Sequence, residues 1–104
     1  MAKVAFQMQL FKGQEDEYKK RHDALWPDLQ QLLKETGISD YSIFLNKDTN
    51  ALFGVLIIDD PLRLDELPAH PVMQKWWAYM SDIMETNPDR SPVSIPLDNV
   101  FYLP

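Results

Sequence analysis

Cysteine is absent from the 104-residue sequence, and glycine occurs at three positions. Without cysteine, disulfide bonds, thiolate catalysis and sulfur-ligated metal sites are excluded. Three glycines are too few to suggest a glycine-rich loop that cradles a nucleotide phosphate. No apolar run approaches the roughly 20 residues that span a membrane, and the first residues resemble a strand rather than a leader. These features predict a soluble, cytoplasmic protein.

Positive charge is also scarce. The sequence has 10 Lys and Arg residues against 16 Asp and Glu residues, which gives a net charge of −6. No basic cluster is available to follow a phosphate backbone or an anionic membrane surface, so we expect neither nucleic acid nor a membrane as partner. Hydrophobic residues make up 45% of the chain, enough for one core. Residues 1–104 are therefore expected to form a single domain.

Hydrophobic periodicity predicts six elements along the chain. They are strands at 3–10, 41–45, 52–58 and 100–103, and helices at 14–36 and 72–84. Residues 87–96 contain several prolines and are expected to form an irregular connection. The order β-α-β-β-α-β is that of the ferredoxin-like α+β fold, with both helices on one face of an antiparallel sheet.

The third predicted strand suggests a second copy of the chain. Residues 52–58 are apolar or glycine at every position, which is typical of a strand buried on both faces. The two helices cover one face of the predicted sheet. A partner sheet that packs on the other face around a twofold axis would complete the burial. We therefore expect a homodimer with the architecture of a dimeric α+β barrel.

His22 is the leading candidate for chemistry. It lies within a helical stripe of inward-facing residues, namely Tyr18, His22, Leu25, Trp26, Leu29, Leu32 and Leu33. Pro27 removes one backbone N–H and disfavours α geometry at Trp26, so the helix should break near His22. A histidine there could transfer protons near neutral pH. The alternative is a hydrogen-bonded core histidine without a catalytic role.

Aromatic residues supply the other candidate groups. Tyr18 lies one helical turn before His22, and Tyr41 opens the second strand. Trp76 and Trp77 are adjacent, so one indole can enter the core while the other faces a cleft or a partner. Indole offers a flat apolar face and one N–H donor, which suits sugars, although packing alone could also explain each aromatic residue. No metal-ligand spacing relates the two histidines, so no metal site is expected.

Several motifs occur together in a characteristic order. They are Tyr18-x-x-x-His22-x-x-x-Trp26-Pro27, Tyr41-Ser42-Ile43, Trp76-Trp77-x-Tyr79-Met80, Asn87-Pro88-Asp89-x-Ser91-Pro92-Val93 and Val100-Phe101-Tyr102-Leu103-Pro104. This combination resembles the L-rhamnose mutarotase family over nearly the whole chain. The resemblance implies a dimeric α+β barrel that interconverts the α and β anomers of L-rhamnose. It also implies that His22 is the proton donor and that Tyr18, Tyr41, Trp76 and Trp77 bind the sugar.

The implied reaction is the opening and reclosure of the sugar ring, an isomerisation in carbohydrate metabolism that needs no cofactor or metal. His22 is assigned to protonation of the ring oxygen, whereas the sequence leaves the second proton-transfer group open among water, a carboxylate and a tyrosine. Two other functions remain compatible with the predicted fold. One is a monooxygenase, either cofactor-free or haem-degrading. In the haem-degrading case, His22 or His70 could bind the iron. The other is a non-enzymatic stress or dimerisation protein.

Overall fold

Strand β1 (Ala2–Gln9) opens the fold in a computed structural model that describes residues 1–104. The elements that follow are α1 (Glu15–Asp23), α2 (Pro27–Glu35), β2 (Ile38–Leu45), β3 (Ala51–Ile58), a 3₁₀ segment (Pro61–Ala69), α3 (Pro71–Met80) and β4 (Ile95–Leu97). The strands form one sheet in the order β2-β3-β1-β4, with every neighbouring pair antiparallel. This arrangement confirms the predicted ferredoxin-like α+β fold.

The first helical segment is interrupted where the sequence predicts a break. Pro27 occupies the first turn of α2, where its missing N–H costs no helical hydrogen bond, and Trp26 before it is extended. Gly37, with φ of +91°, ends α2 and donates its N–H to the carbonyl of Lys34. The longest α-helix, α3, has 10 residues, and no helix is both long and apolar enough to cross a membrane.

The core lies between the helices and one face of the sheet. Its main cluster has ten buried residues from every layer, and Ile38, Leu56 and Ile58 form a smaller second cluster. The ten are Met8, Leu10, Tyr18, Leu29, Leu52, Met73, Trp76, Met80, Ile83 and Met84. Gly54 on β3 pairs with Phe6 on β1, and a Cβ at Gly54 would lie 2.6 Å from Cε2 of that ring. The missing side chain therefore lets the Phe6 ring lie across β3, where it meets Tyr41 edge-on at 6.2 Å between centroids.

The opposite face of the sheet carries apolar side chains that no helix covers. The strand register aligns Phe44, Phe53, Gln7 and Ile95 in one row across the four strands. Phe44 is 62% exposed and Ile95 is 55% exposed, whereas Phe53 is half-buried. A single copy of the chain therefore leaves the second face of β3 incompletely buried. We call this surface of Phe44, Phe53, Val55, Ile95 and Leu97 the open sheet face.

The second predicted helix, which is α3 in the structure, ends four residues earlier than predicted, at Met80 rather than Met84. The hydroxyl of Ser81 donates to the carbonyl of Ala78, and the chain then turns back toward the sheet. Met84 forms a bridge to Leu10, at the end of β1, and is buried. The helical spacing of the apolar residues continued through Met84 because this residue also points into the core, although from an extended segment.

The predicted last strand at residues 100–103 is wrong, because β4 instead forms at Ile95–Leu97, across the end of the predicted irregular connection. These three residues pair with Gln7, Phe6 and Ala5 and so occupy the free edge of β1. Beyond them, the side chain of Asn99 accepts a hydrogen bond from the backbone N–H of Phe101 in a local turn. Residues 98–104 then lie exposed outside the sheet.

Candidate active site

His22 lies at the meeting point of α1 and α3. Its ring stacks on that of Tyr18, with centroids 4.3 Å apart, because the two residues are one helical turn apart on α1. The Trp76 indole, from α3, lies perpendicular to the same imidazole, with the ring centroids 5.3 Å apart. His22 is partly buried by these neighbours. The structure thus brings together three of the residues predicted from the sequence.

The hydrogen bond of His22 determines which ring nitrogen is available for proton transfer. Nδ1 lies 3.0 Å from the backbone carbonyl oxygen of Tyr18. Since a carbonyl oxygen only accepts hydrogen bonds, Nδ1 must carry a proton and donate it. Burial lowers the pKa of His22 below its ordinary value, which favours the neutral ring. Nε2 is therefore an unprotonated acceptor at neutral pH.

Two tyrosines of the predicted site supply hydroxyl donors, Tyr18 against the imidazole and Tyr41 near Tyr18. Tyr41 is 38% exposed as a residue, but protein atoms surround its hydroxyl, and the loss of hydration there raises the pKa of Tyr41 to about 12. Burial together with the nearby Tyr41 also raises the pKa of Tyr18. Both hydroxyls therefore keep their protons at physiological pH. Tyr41 follows Asp40, whose φ of +48° lies in an irregular part of β2 between Ser39 and Ser42. This local distortion helps to place Tyr41 on the helix side of the sheet, against Phe6.

Two further aromatic residues complete the cluster, and neither was predicted from the sequence to belong to the site. Trp26 meets Trp76 edge-on at 5.1 Å and stacks on Tyr79 at 5.5 Å, and Trp76 lies 5.7 Å from Tyr79. Trp26 continues the helical spacing of Tyr18 and His22, and Tyr79 follows Trp76 by one turn. These spacings were visible in the sequence, but the contact between the two helices was not.

Trp77 occupies a different position from Trp76. Trp76 is 5% exposed and contacts His22, Trp26 and Tyr79. Trp77 is partly buried and packs against the edge of the core. The structure therefore places one indole of the pair in contact with the candidate proton-transfer group. His70, the second histidine, lies exposed before the first turn of α3.

Similar proteins point to one family. The family model of L-rhamnose mutarotase matches residues 3–103. A protein of Sinorhizobium fredii named L-rhamnose mutarotase is 58% identical over 103 residues, which covers 99% of each chain. A protein of the same name from Lachnoclostridium phytofermentans is 50% identical, again over 99% of each chain.

Solved structures agree with the sequence relatives. The crystal structure of an L-rhamnose mutarotase from Formosa agariphila superposes with a TM-score of 0.93 at 49% identity and covers 100% of both chains. An antibiotic biosynthesis monooxygenase matches with a TM-score of 0.52 at 15% identity over 96% of this chain and 99% of its own, a likeness that concerns the fold alone. On a family match over nearly every residue, the chain belongs to the L-rhamnose mutarotase family.

Proposed function

We propose that this protein is an isomerase that interconverts the α and β anomers of L-rhamnose. The observation that carries the proposal is the free Nε2 of His22, held against the rings of Tyr18 and Trp76. That arrangement suits a proton transfer on a polyhydroxylated, partly apolar ligand. The relatives that share the name L-rhamnose mutarotase support the choice of sugar.

His22 can carry both proton transfers of the reaction. Its neutral Nε2 takes the proton from the anomeric hydroxyl, whose oxygen electrons form the C1=O double bond as the bond from C1 to the ring oxygen breaks. The imidazolium then returns this proton to the departing ring oxygen. One nitrogen can serve both oxygens because both are bonded to C1. Rotation about the C1–C2 bond and the reverse steps close the ring with the other anomeric configuration.

The aromatic residues have binding roles in this proposal. Tyr18 and Tyr41, whose raised pKa values keep them protonated, donate hydrogen bonds to sugar hydroxyls. Trp76 and Trp77 cover the apolar face of the sugar, which includes its methyl group. Because Trp76 contacts His22 directly, it also limits the access of water to the imidazole.

Saturation-transfer NMR on L-rhamnose tests the activity directly. One anomeric proton is saturated, and the loss of intensity at the other gives the exchange rate with and without the protein. We expect faster exchange in proportion to protein concentration, beyond the uncatalysed rate. An exchange rate that is unchanged at high protein concentration would refute the proposed function.

The pH dependence of this rate tests the protonation state of His22. Burial lowers the pKa of His22 below its ordinary value of 6.5, so the active neutral ring predominates at and above neutral pH. The catalysed rate should therefore rise as pH increases through one ionisation below pH 6.5, and then stay level through the slightly alkaline range. A rate that falls above this pKa would instead identify the imidazolium as the active form. The rate measured without protein at each pH is the control.

Trp77→Ala tests whether the second indole binds sugar or only packs. We expect KM for L-rhamnose to rise, because the variant loses an apolar surface for the ligand, while the melting temperature falls only moderately. Trp77→Phe, which keeps a smaller aromatic face, is the matched variant and should retain part of the affinity. A lower melting temperature without any change in KM would assign Trp77 to packing.

We also propose that two copies of the chain associate through the open sheet face. The support is physical, because Phe44, Ile95 and Leu97 expose apolar surface next to the partly buried Phe53 and Val55. Sheet-to-sheet packing of two such faces yields the barrel predicted from the sequence. The cytoplasmic location inferred from composition stays a prediction.

A further inference from the structure

Arg21 precedes His22 on α1, and its guanidinium contacts the C-terminal end of α3. The side chain is 10% exposed. Nη1 donates to the backbone carbonyl of Tyr79 at 2.6 Å and to Oδ1 of Asp82 at 2.9 Å, and Nη2 lies 3.3 Å from the other Asp82 oxygen. Nε donates to Glu17, one turn earlier on α1, at 2.7 Å. A single guanidinium thus joins the two helices that carry His22 and Trp76.

The contacts of the Arg21 guanidinium suit the C-terminal end of a helix. The carbonyl of Tyr79 lies in the last turn of α3, where backbone oxygens lack intrahelical partners and the helix dipole favours a cation. The planar guanidinium satisfies this carbonyl and forms a two-pronged contact with Asp82 at the same time. The hydrogen bond from Arg21 lowers the pKa of Asp82, so the carboxylate remains charged.

The same guanidinium also holds an aromatic ring of the site. Its central carbon lies 4.2 Å from the centroid of the Tyr79 ring, a cation–π contact. Tyr79 in turn stacks on Trp26 and meets Trp76. An unbroken series of contacts therefore runs from Arg21 through Tyr79 and Trp76 to the imidazole of His22.

We propose that Arg21 is a positioning residue for the reaction. By fixing the end of α3 to α1, it keeps the Trp76 ring against His22. The inference rests on the proposed function for its kinetic readout, although the geometry is independent of the substrate. Lysine cannot replace the guanidinium here, because one ammonium cannot hold the Tyr79 carbonyl, both oxygens of Asp82 and the ring face together. Without the fork, α3 shifts and water reaches the imidazole.

Arg21→Lys is the principal test, with Arg63→Lys as its matched control. Arg63 forms an ion pair with Glu66 within the 3₁₀ segment, and both side chains are partly exposed, at 39% and 52%. For Arg21→Lys we expect kcat to fall roughly 10- to 100-fold, the range that a misplacement of about 1 Å can produce, with a smaller change in KM. The pKa of His22, measured by NMR titration of its ring protons, should rise toward 6.5. Arg63→Lys should leave kcat and this pKa unchanged.

Asp82→Asn is the second variant, because it weakens the same contact while it preserves the size of the side chain. We expect the same direction of change in kcat and in the His22 pKa, with a smaller amplitude. A lower melting temperature with unchanged kcat and unchanged His22 pKa in both variants would overturn the proposal and leave Arg21 a stabilising residue. Unfolding of both variants would overturn it in the same way. If the wild-type protein fails to accelerate anomer exchange, the NMR titration still tests the positioning role separately.

Discussion

His22→Ala should lower the catalysed rate of anomer exchange by roughly 10²–10⁴-fold, the usual contribution of one positioned acid–base group. The variant removes the imidazole nitrogen to which both proton transfers are assigned, and Tyr18 and Tyr41 cannot replace it as a base because they hold their protons at physiological pH. Binding of L-rhamnose should persist, since the tyrosines and tryptophans remain. The measurement combines saturation-transfer NMR for the rate with calorimetry for sugar affinity.

His70→Ala is the matched control, because it removes the other histidine from an exposed position. This variant should exchange anomers at the wild-type rate. The circular dichroism spectrum of His22→Ala should match that of the wild type, so that a lost rate cannot be attributed to unfolding. Rates within twofold of wild type in a folded His22→Ala would contradict the catalytic assignment. Recovery of activity on addition of free imidazole would support it further.

Phe53→Lys should convert the proposed dimer into a monomer. Phe53 lies at the centre of the open sheet face, between Phe44 on β2 and Gln7 on β1. Two facing copies would bring two lysine ammonium groups into an apolar interface, where each is costly to desolvate and repels the other. Sedimentation velocity at several concentrations should show a dimer for the wild type and a monomer for the variant.

Phe11→Lys provides the comparison for this substitution. Phe11 is also partly exposed, at 42%, but lies beyond the end of β1 and outside the open sheet face. Phe11→Lys introduces the same change in charge and should leave the dimer intact. A monomeric wild-type protein, or a dimer that survives Phe53→Lys, would exclude this face as the interface. The activity of the monomer would then show whether the site depends on the second copy.

The sequence predicted the parts of the fold that local rules govern. Pro27 determines the break between α1 and α2 because it lacks an N–H and constrains Trp26. The strand order follows from the sequence of elements, and the predicted family was confirmed. The position of β4 was missed because Pro96 lies within it, and proline argues against a strand except at the edge of a sheet, where β4 lies. Tertiary pairing selected Ile95–Leu97, although local composition favoured residues 100–103.

The residues of the candidate site could likewise be predicted only where local spacing determines their positions. The pair of Tyr18 and His22 follows from helical spacing, and the structure places Trp76 against it. Trp26, Tyr79 and Arg21 were not assigned, because their roles depend on how α1 and α3 cross, which no local pattern contains. The binding roles of Tyr18, Tyr41, Trp76 and Trp77 stay predictions. The monooxygenase alternative shares the fold with this chain but has only 15% identity in the matched structure.

The contact between Gly54 and Phe6 has a practical consequence for protein engineering. Glycine-to-alanine substitution commonly stabilises a protein by about 0.4–1 kcal/mol, because it restricts the unfolded chain. At Gly54 the added methyl group would collide with the ring of Phe6, which contacts Tyr41. Gly13 and Gly37 have φ values of +87° and +91°, which alanine adopts only with strain. A thermostabilised variant of this protein must therefore keep all three glycines and gain its stability elsewhere.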